Sequence, residues 1–312
     1  MTDEQYAHKP VLLNESITGL AIRPEGTYID CTFGRGGHSS AILRQLGEKG
    51  RLLALDKDPE AMIAAKLVDD NRFQFCADSF TGLQSLIEGE GLVGNVDGIL
   101  FDLGVSSPQL DDATRGFSFQ HDGPLDMRMD TEHGMSVAQW LTQTDAKQLA
   151  EVLREYGEER HAKRIANAVM EAQQQQPITT TKQLSDIVSR ANPSWEKHKH
   201  PATRAFQGLR IFINDELNEL QTALAQSLNV LAVGGRLSVI SFHSLEDRIA
   251  KQFIAKHSTR QTSGPKGLPL RDDQIPPAAL KKVGKAIKAG PDELAHNPRS
   301  RSAVLRIAEK LS

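Results

Sequence analysis

Short apolar runs alternate with helical segments over about the first hundred residues, and this rhythm limits the chain to few folds. Four runs have the composition of buried strands, at residues 27–31, 51–56, 72–77 and 97–103. Segments with helical spacing or length separate them, at residues 38–46, 59–69 and 80–88. Near-continuous apolar strands joined by helices are typical of a parallel sheet covered on both faces. Right-handed crossovers then predict a doubly wound, Rossmann-like α/β sheet.

The alternation stops after Leu103. Residues 105–131 are rich in Gly, Pro, Ser and Asp, which predicts a long ordered or functional loop. Helices without strands follow at residues 136–191, with N-cap sequences that begin at Ser136, Thr144 and Thr180. A long helix is predicted at 202–231, then a buried strand at 235–242, a helix at 244–257 and a final strand at 303–308. We therefore expect one sheet domain, residues 1–110 and 206–312, interrupted by a loop and an all-helical insertion at 111–205 that recognises the substrate.

Composition excludes several classes of protein. Hydrophobic residues are 39 % and charged residues 25 % of the 312, which is ordinary for a chain with a sizeable core. Cys31 and Cys76 are the only cysteines and lie in predicted strands, which argues against a disulfide scaffold and a cysteine-rich metal site. The N-terminus lacks an apolar segment of signal-peptide length, and no stretch could span a bilayer. We expect a cytosolic, reducing environment.

Charge is spread unevenly along the chain. The net charge is −3, but residues 256–312 contain 12 Lys and Arg against 5 Asp and Glu. Of the totals of 37 and 40, 25 and 35 then remain for the rest of the chain. This asymmetry indicates a phosphate-facing side, and a solvated basic tail is the alternative.

A glycine-rich motif, D-C-T-F-G-R-G-G-H, joins the first strand to its helix at residues 30–38. Glycines there allow a tight turn and close approach of a ligand to a helix N-terminus. The G-x-G-x-x-G dinucleotide motif fits only in part, because Ser39 stands at its third glycine. Asp30-x-Thr32-x-Gly34-x-Gly36 is similar to the D-x-G-x-G-x-G loop of S-adenosylmethionine-dependent methyltransferases, with Thr32 in place of the first glycine. A structural turn without a ligand is the alternative.

Acidic and aromatic residues follow the next two strands. Asp56 ends the second strand, where a carboxylate can accept hydrogen bonds from both ribose hydroxyls of a nucleoside. A helix cap is the alternative role for an acid in this segment, and it suits Asp58 better. After the third strand, Asp78 and Phe80 occupy positions that face an adenine ring in such folds, although Phe80 is equally suited to the core. The glycine loop and Asp56 together predict a nucleoside cofactor.

The fourth strand ends in D-L-G-V-S-S-P-Q, residues 102–109. Ligands of open α/β sheets bind beyond the carboxyl ends of the strands. Amino-methyltransferases carry an [Asp/Asn/Ser]-Pro-Pro-aromatic loop here, which accepts hydrogen bonds from the target amine and stacks on its base. Ser107-Pro108-Gln109 matches that loop only in part, and Phe117 or Phe119 is a candidate for the missing aromatic.

Seven motifs together carry a resemblance to one family. They are D-C-T-F-G-R-G-G-H, D-L-G-V-S-S-P-Q-L-D, R-G-F-S-F, G-P-L-D-M-R-M at 123–129, Y-G-E-E-R at 156–160, S-F-H-S-L-E-D-R at 241–248 and N-P-R-S-R-S at 297–302. Over essentially its whole length the chain resembles the MraW family of bacterial ribosomal RNA methyltransferases. The resemblance implies a class I methyltransferase that uses S-adenosylmethionine to methylate N4 of a cytidine in the decoding region of 16S ribosomal RNA. It also implies a set of cofactor contacts: Gly36, Gly37, His38, Asp56, Phe80, Asp102 and Gln109.

The chemistry of the target amine indicates which residues are candidates for catalysis. The exocyclic amine of cytosine is a poor nucleophile, so a hydrogen-bond acceptor is needed to localise its lone pair and receive a proton. Asp102 and Ser107 are our candidates, and His243 after the later strand is a third. For His243 the alternative is that it holds its loop while Ser244 caps the next helix. His38 lacks a second, suitably spaced ligand, so we expect no metal site, and no G-x-S-x-G hydrolase elbow is present.

The expected partner is the RNA of the small ribosomal subunit, contacted by residues 197–204 and the basic segment 281–306. Few basic residues predict weak binding to naked RNA, so a structured subunit is the expected substrate. Two other functions stay open at this point: an NAD-dependent oxidoreductase using Asp56 and the glycine turn, and a non-enzymatic assembly factor. The sequence leaves the oligomeric state open, a homodimer included.

Overall fold

The computed structural model describes residues 10–193, 200–260 and 277–312. They divide into two compact units: one extends to Gly104 and resumes at Leu217, and the other is Val105–Glu216. We name them the sheet unit and the helical unit. The sequence predicts boundaries at 110 and 205, whereas the structure has them at 104 and 216. The second boundary differs because Phe206 and Leu209 belong to the core of the helical unit.

The sheet contains eight strands in the order β3-β2-β1-β4-β5-β8-β6, with β7 also paired to β8. Strands β1 to β5 run parallel, and β8 is antiparallel to β5, β6 and β7. The strands are β1 Thr27–Asp30, β2 Arg51–Asp56, β3 Phe73–Ala77, β4 Val96–Asp102, β5 Leu231–Ser241, β6 Leu280–Lys282, β7 Ile287–Lys288 and β8 Val304–Lys310. The two short strands β6 and β7 are not predicted from the sequence.

Thirteen α-helices occur in the described residues, with α5 to α10 in the helical unit. They are α1 Leu13–Leu20, α2 Gly37–Leu43, α3 Pro59–Ala65, α4 Leu83–Gly89, α5 Ser107–Asp111, α6 Val137–Leu141, α7 Ala146–Glu155, α8 Ala162–Gln175, α9 Thr181–Ala191, α10 Thr203–Ile213, α11 Glu216–Val230, α12 Ser244–His257 and α13 Pro291–His296. No helix among these residues is both long enough and apolar enough to cross a membrane.

Both faces of the sheet are buried. Phe101 of β4 belongs to the same apolar core as Leu224 of α11 on one face, and its neighbour Leu100 belongs to the same core as Ile42 of α2 on the other. Alternation of side chains along a strand produces this division, since successive residues point to opposite faces. The predicted Rossmann-like α/β sheet is confirmed.

The prediction of one continuous helix at residues 202–231 is wrong. It breaks into α10 and α11 at Asn214 and Asp215, and Asp215 has a left-handed backbone with φ 51°. The Asn214 amide donates to the carbonyl of Met127 at 2.7 Å, and its Oδ1 accepts from the Met129 N–H at 2.7 Å. These long-range bonds fix the break, and periodicity along the helix contains no sign of them.

Candidate active site

Three carboxylates lie at one edge of the sheet. Asp30, Asp56 and Asp102 end β1, β2 and β4, and those strands are parallel neighbours. Their carboxyl ends therefore share the edge at which open α/β sheets bind ligands. The three side chains differ in what they contact, and these contacts distinguish their roles.

Asp30 is hydrogen-bonded near both ends of the glycine loop. It is fully buried and accepts two hydrogen bonds, from the Ser39 hydroxyl at 2.7 Å and from the Thr32 N–H at 3.1 Å. Burial raises its pKa to about 6, and the two hydrogen bonds act in the opposite direction. Thr32, which replaces the first glycine of the motif, accepts the N–H of Asp102 with its Oγ1 at 2.7 Å. Asp30 and Thr32 thus tie the loop to α2 and β4.

The three loop glycines have different surroundings. Gly34 has φ +55°, and a Cβ there would meet no atom within 4 Å. At Gly36 a Cβ would lie 2.8 Å from the Phe33 ring, and at Gly37 it would lie 2.3 Å from the ring of Pro10. The chain itself therefore approaches the last two glycines, and only Gly34 faces open space. Cofactor contacts by Gly36 and Gly37 stay a prediction, and we expect their backbone atoms to make these contacts.

Asp56 accepts two backbone hydrogen bonds at the end of β2. Its Oδ2 accepts the Gly34 N–H at 2.8 Å, and its Oδ1 accepts the Asp58 N–H at 2.9 Å. A carboxylate offers about four lone-pair sites, so both oxygens keep capacity for a ligand hydroxyl. Burial raises the pKa of Asp56. Asp58 is the helix cap, since its side chain accepts the N–H of Glu60 at the start of α3.

Phe80 begins a 3₁₀ turn, Phe80–Gly82, after β3. Its ring is half-buried and packs edge-on against Phe101, with 5.8 Å between ring centroids. Asp78 is exposed beside it and accepts the Ser79 N–H at 2.7 Å. Phe80 thus has a core contact on one side, and its contact with an adenine stays a prediction.

His38 is buried at the start of α2, with only 5 % of its surface exposed. Burial lowers its pKa to about 4, and a hydrogen bond with the Val11 backbone offsets part of that shift. Its Nδ1 lies 3.5 Å from Oδ2 of Asp102. The histidine is neutral at pH 7, so this contact is not an ion pair. Its Nε2 is buried and has no hydrogen-bond partner.

Asp102 has a similarly unsatisfied atom, because its Oδ1 is buried without a hydrogen-bond partner. Burial raises its pKa well above the usual range, and the carboxylates of Asp30 and Glu246 add to the shift. Buried polar atoms in proteins nearly always have partners. Two such atoms lie on neighbouring side chains here, Nε2 of His38 and Oδ1 of Asp102, and a polar ligand at this edge would satisfy both.

His243 closes a capping box with Glu246 at the start of α12. Its Nδ1 accepts the Glu246 N–H at 3.4 Å, and Oε2 of Glu246 accepts the N–H of Phe242 at 2.8 Å and that of His243 at 3.2 Å. The alternative in which Ser244 is the cap is wrong, because Ser244 is the first helical residue. A role of His243 in catalysis stays a prediction. Glu246 is a buried site residue that sequence reasoning missed; the spacing S/H-x-x-E is its only local signal.

In the helical unit, Ser107 and Gln109 lie on the short helix α5. Ser106 caps the helix by accepting the N–H of Gln109, and Oε1 of Gln109 accepts the N–H of Ser106 at 2.8 Å. Gln109 is buried, and Ser107 is the half-buried first residue of the helix. The cofactor contact of Gln109 and the catalytic role of Ser107 stay predictions.

The R-G-F-S-F motif is held by the chain around it. The buried Arg115 donates to the carbonyls of Arg128 and Met129 at 3.2 and 3.0 Å, and its guanidinium lies 5.7 Å from the Phe117 ring centroid. Phe117 is buried in the core of the helical unit, which removes it as a stacking candidate. Phe119 is half-buried and stacks on His200 with 4.5 Å between ring centroids.

The basic segment forms an exposed patch on the sheet unit. Four exposed lysines lie on the segment that contains β6 and β7, two short strands that each pair with β8: Lys281, Lys282, Lys285 and Lys288. We name these four residues the lysine edge. Arg306 is not available for phosphate, because it donates to Asp247 at 2.7 and 3.0 Å. Of the other predicted footprint, residues 197–204, the part at 197–199 lies outside the described residues.

A cationic nucleoside cofactor fits this edge. Asp56 has lone pairs for ribose hydroxyls, Gly34 leaves open space, and the buried atoms of His38 and Asp102 lack partners. Carboxylates with raised pKa values favour a positively charged ligand, because such a ligand stabilises their ionised form. Fold and site together define a Rossmann-like, nucleoside-cofactor-dependent enzyme.

The model of the MraW methylase family matches residues 5–311, and the chain belongs to this family. It is a methyltransferase, and S-adenosylmethionine is its cofactor. The resemblance found in the sequence motifs is thereby confirmed.

Three crystal structures of other proteins show similarity to the chain. A protein of Clostridium thermocellum described as an rRNA methylase is 12 % identical over 98 % of both chains, with a TM-score of 0.43. The 1,6-didemethyltoxoflavin-N1-methyltransferase of Burkholderia thailandensis is 11 % identical over 99 % of this chain and 82 % of its own, with a TM-score of 0.41. TrmN of Thermus thermophilus is 11 % identical over 97 % of this chain and 49 % of its own, with a TM-score of 0.42. Similarity at this level carries no information about the substrate, and the full-length family match alone establishes the family.

Proposed function

We propose that this methyltransferase methylates N4 of a cytidine in the decoding region of 16S ribosomal RNA. Membership of the MraW methylase family supports methyl transfer, and the sequence resemblance supports this base. The observation that carries the chemistry is Asp102, whose Oδ1 is buried, lacks a hydrogen-bond partner and lies at the carboxyl end of β4. A carboxylate in this condition is suited to accept hydrogen bonds and a proton from an amine.

Asp102 has two parts in the proposed reaction. Before transfer, a hydrogen bond from the exocyclic amine to the carboxylate draws the nitrogen lone pair out of the ring. S-adenosylmethionine supplies an electrophilic methyl carbon on a positively charged sulfur. As the nitrogen–carbon bond forms and the carbon–sulfur bond breaks, the amine proton passes to Asp102 and then to water. The raised pKa of Asp102 favours this transfer, because it makes the carboxylate a stronger base.

Other residues hold the reactants in place. Asp56 accepts the ribose hydroxyls through its remaining lone pairs, and neutral His38 contributes a polar nitrogen beside Asp102. Positioning of this kind supplies several kcal/mol of the barrier reduction, about 7 kcal/mol in favourable cases. We keep Phe80 as the adenine contact, and Ser107 and His243 as candidates for contact with the target base.

The lysine edge is the proposed phosphate-contacting surface for the small-subunit RNA. Its four exposed ammonium groups lie within eight residues of chain. Phosphate contacts by lysine are independent of sequence and dependent on salt. An alternative role for lysines on β6 is protection of an edge strand against pairing with other chains.

The test is transfer of labelled methyl from S-adenosylmethionine to small ribosomal subunits from a strain that lacks this protein, followed by nucleoside analysis. Label in N4-methylcytidine is the expected result. Label in another nucleoside would replace the proposed base. If no nucleoside were labelled while S-adenosylmethionine still bound, the RNA of the assembled small subunit would be excluded as the substrate.

A further inference from the structure

Of the three consecutive residues before α1, the first two lie against the glycine loop. We name residues 10–12 the N-terminal strap. A ring carbon of Pro10 occupies the position 2.3 Å from where a Gly37 side chain would begin, and the Val11 backbone hydrogen-bonds His38. Leu12 is fully buried. The strap therefore forms one wall of the turn that joins β1 to α2.

The strap is attached to the far end of the chain. The Leu12 N–H donates to Oε1 of Glu293 at 2.8 Å, across 281 residues of sequence. Leu12 has the left-handed conformation, φ 52° and ψ 36°, which is unfavourable for a leucine. A hydrogen bond to a carboxylate is stronger than one between neutral groups and holds such a residue in place. Glu293 is half-buried in the first turn of α13.

We infer that Glu293 is a positioning residue for S-adenosylmethionine, acting through the N-terminal strap on Gly37 and His38. This inference rests on the proposed placement of the cofactor at the glycine loop. Without the Glu293 hydrogen bond the strap is free to leave the loop, and the N-terminal turn of α2 loses the packing that fixes its backbone. Glu293 touches neither cofactor nor base and affects the reaction only through cofactor binding.

The experiment compares Glu293→Ala, Glu293→Gln and Asp292→Ala in the full chain. For Glu293→Ala the dissociation constant of S-adenosylmethionine, measured by calorimetry, is expected to rise about fivefold to tenfold. The KM for S-adenosylmethionine rises by the same factor, while kcat at saturating cofactor and the KM for small subunits stay unchanged. A residue that served only the stability of the fold would not produce this division between KM and kcat.

Two matched variants separate the hydrogen bond from the charge. Glu293→Gln keeps an oxygen that accepts the Leu12 N–H, so its cofactor affinity is expected within about twofold of the parent. Asp292→Ala removes the same charge from the same helical turn, but Asp292 meets His296 through its backbone carbonyl, 2.8 Å from Nδ1, and the substitution keeps that carbonyl. Unchanged affinity is therefore expected. Equal weakening by Asp292→Ala and Glu293→Ala would overturn the inference in favour of a general charge effect.

A second approach does not depend on Glu293. Pro10→Ala removes the ring carbons against Gly37, and we expect a rise in the cofactor dissociation constant of about twofold to fivefold. Parental affinity in both Pro10→Ala and Glu293→Ala would overturn the inference. Asp56→Ala tests the placement itself: if it lost cofactor binding while the strap variants did not, the inference alone would fail. If Asp56→Ala bound normally, the placement of the cofactor would fail instead.

Discussion

Two sets of buried polar side chains, one from each unit, differ in the hydrogen-bond partners that the chain supplies. At the carboxyl edge of the sheet, Nε2 of His38 and Oδ1 of Asp102 are buried without hydrogen-bond partners. In the helical unit, the buried side chains of Arg115 and Asn214 bind backbone groups of the L-D-M-R-M segment. Both sets belong to or contact motifs that carry the family resemblance. The contrast separates polar atoms for which the chain supplies no partner from polar atoms that fix the conformation of the chain.

The physical reason is the cost of an unsatisfied buried polar atom, about 1–3 kcal/mol. A ligand that forms hydrogen bonds with such atoms removes this cost. Where the chain supplies the partner, as for Asn214, the group fixes a conformation that local propensity does not favour. We therefore expect substitution of Asp102 to change the reaction and substitution of Asn214 to change stability.

The largest effect is expected for Asp102→Asn. The substitution keeps the shape of the side chain but removes the acceptor of the amine proton, so the single-turnover rate at saturating S-adenosylmethionine should fall by about 10²–10⁴. The free energy of unfolding should not decrease, since a charge that burial disfavours is removed. Asp69→Asn, at an exposed turn, is the control. A parental single-turnover rate in Asp102→Asn would exclude the acceptor role.

Asn214→Ala should show the opposite behaviour. It leaves the Met127 carbonyl and the Met129 N–H without their partners in the helical unit. The free energy of unfolding should fall by about 3 kcal/mol in urea denaturation. The exposed Asn229→Ala is the control, with an expected change below about 0.5 kcal/mol. If Asn214→Ala unfolded at the parental urea concentration, the hydrogen bonds at the α10–α11 break would have no role in stability.

Burial of Asp30 makes the free energy of unfolding depend on pH. Its pKa is about 6 in the folded chain against an ordinary value of 3.8 for an exposed aspartate, so the folded state binds this proton more tightly than the unfolded state. Its contribution to stability is therefore full below about pH 4 and is lost as the pH rises through about 6, a loss of roughly 3 kcal/mol. Asp30→Asn cannot ionise; its carbonyl oxygen still accepts the Thr32 N–H, and its NH2 group donates to the Ser39 hydroxyl oxygen instead of accepting from it. The difference in unfolding free energy between parent and variant should change by that amount from pH 4 to pH 7, and parallel curves would contradict the burial of a charge here.

The smallest effect is expected for the lysine edge. Replacing Lys285 and Lys288 together by Gln should reduce the slope of log affinity against log salt by about 1.5, measured with small subunits. Lys49 and Lys66, exposed elsewhere on the sheet unit, form the matched control pair. Replacing Lys285 and Lys288 by Glu keeps charges on this edge but reverses their sign. This change preserves protection of the edge and removes phosphate contact, so it separates the two roles. Unchanged affinity with Glu at both positions would leave edge protection as the role of these lysines.

Local pattern was sufficient for much of the sheet unit. Near-continuous apolar runs placed β1 to β4 within a residue or so, and β2 and α12 have the predicted bounds. The strand-end carboxylates Asp30, Asp56 and Asp102 could be named from the sequence because parallel strands bring their carboxyl ends to one edge. Each of these features depends on residues close together in the chain.

Features that depend on distant partners were decided only by the tertiary structure. The break at Asn214 needs the carbonyl of Met127, and the cover over Gly37 needs Pro10. The anchoring of the strap needs Glu293, which lies 281 residues beyond Leu12. Neither periodicity nor motif spacing contains such contacts, because their energy comes from groups that meet only after the chain has folded.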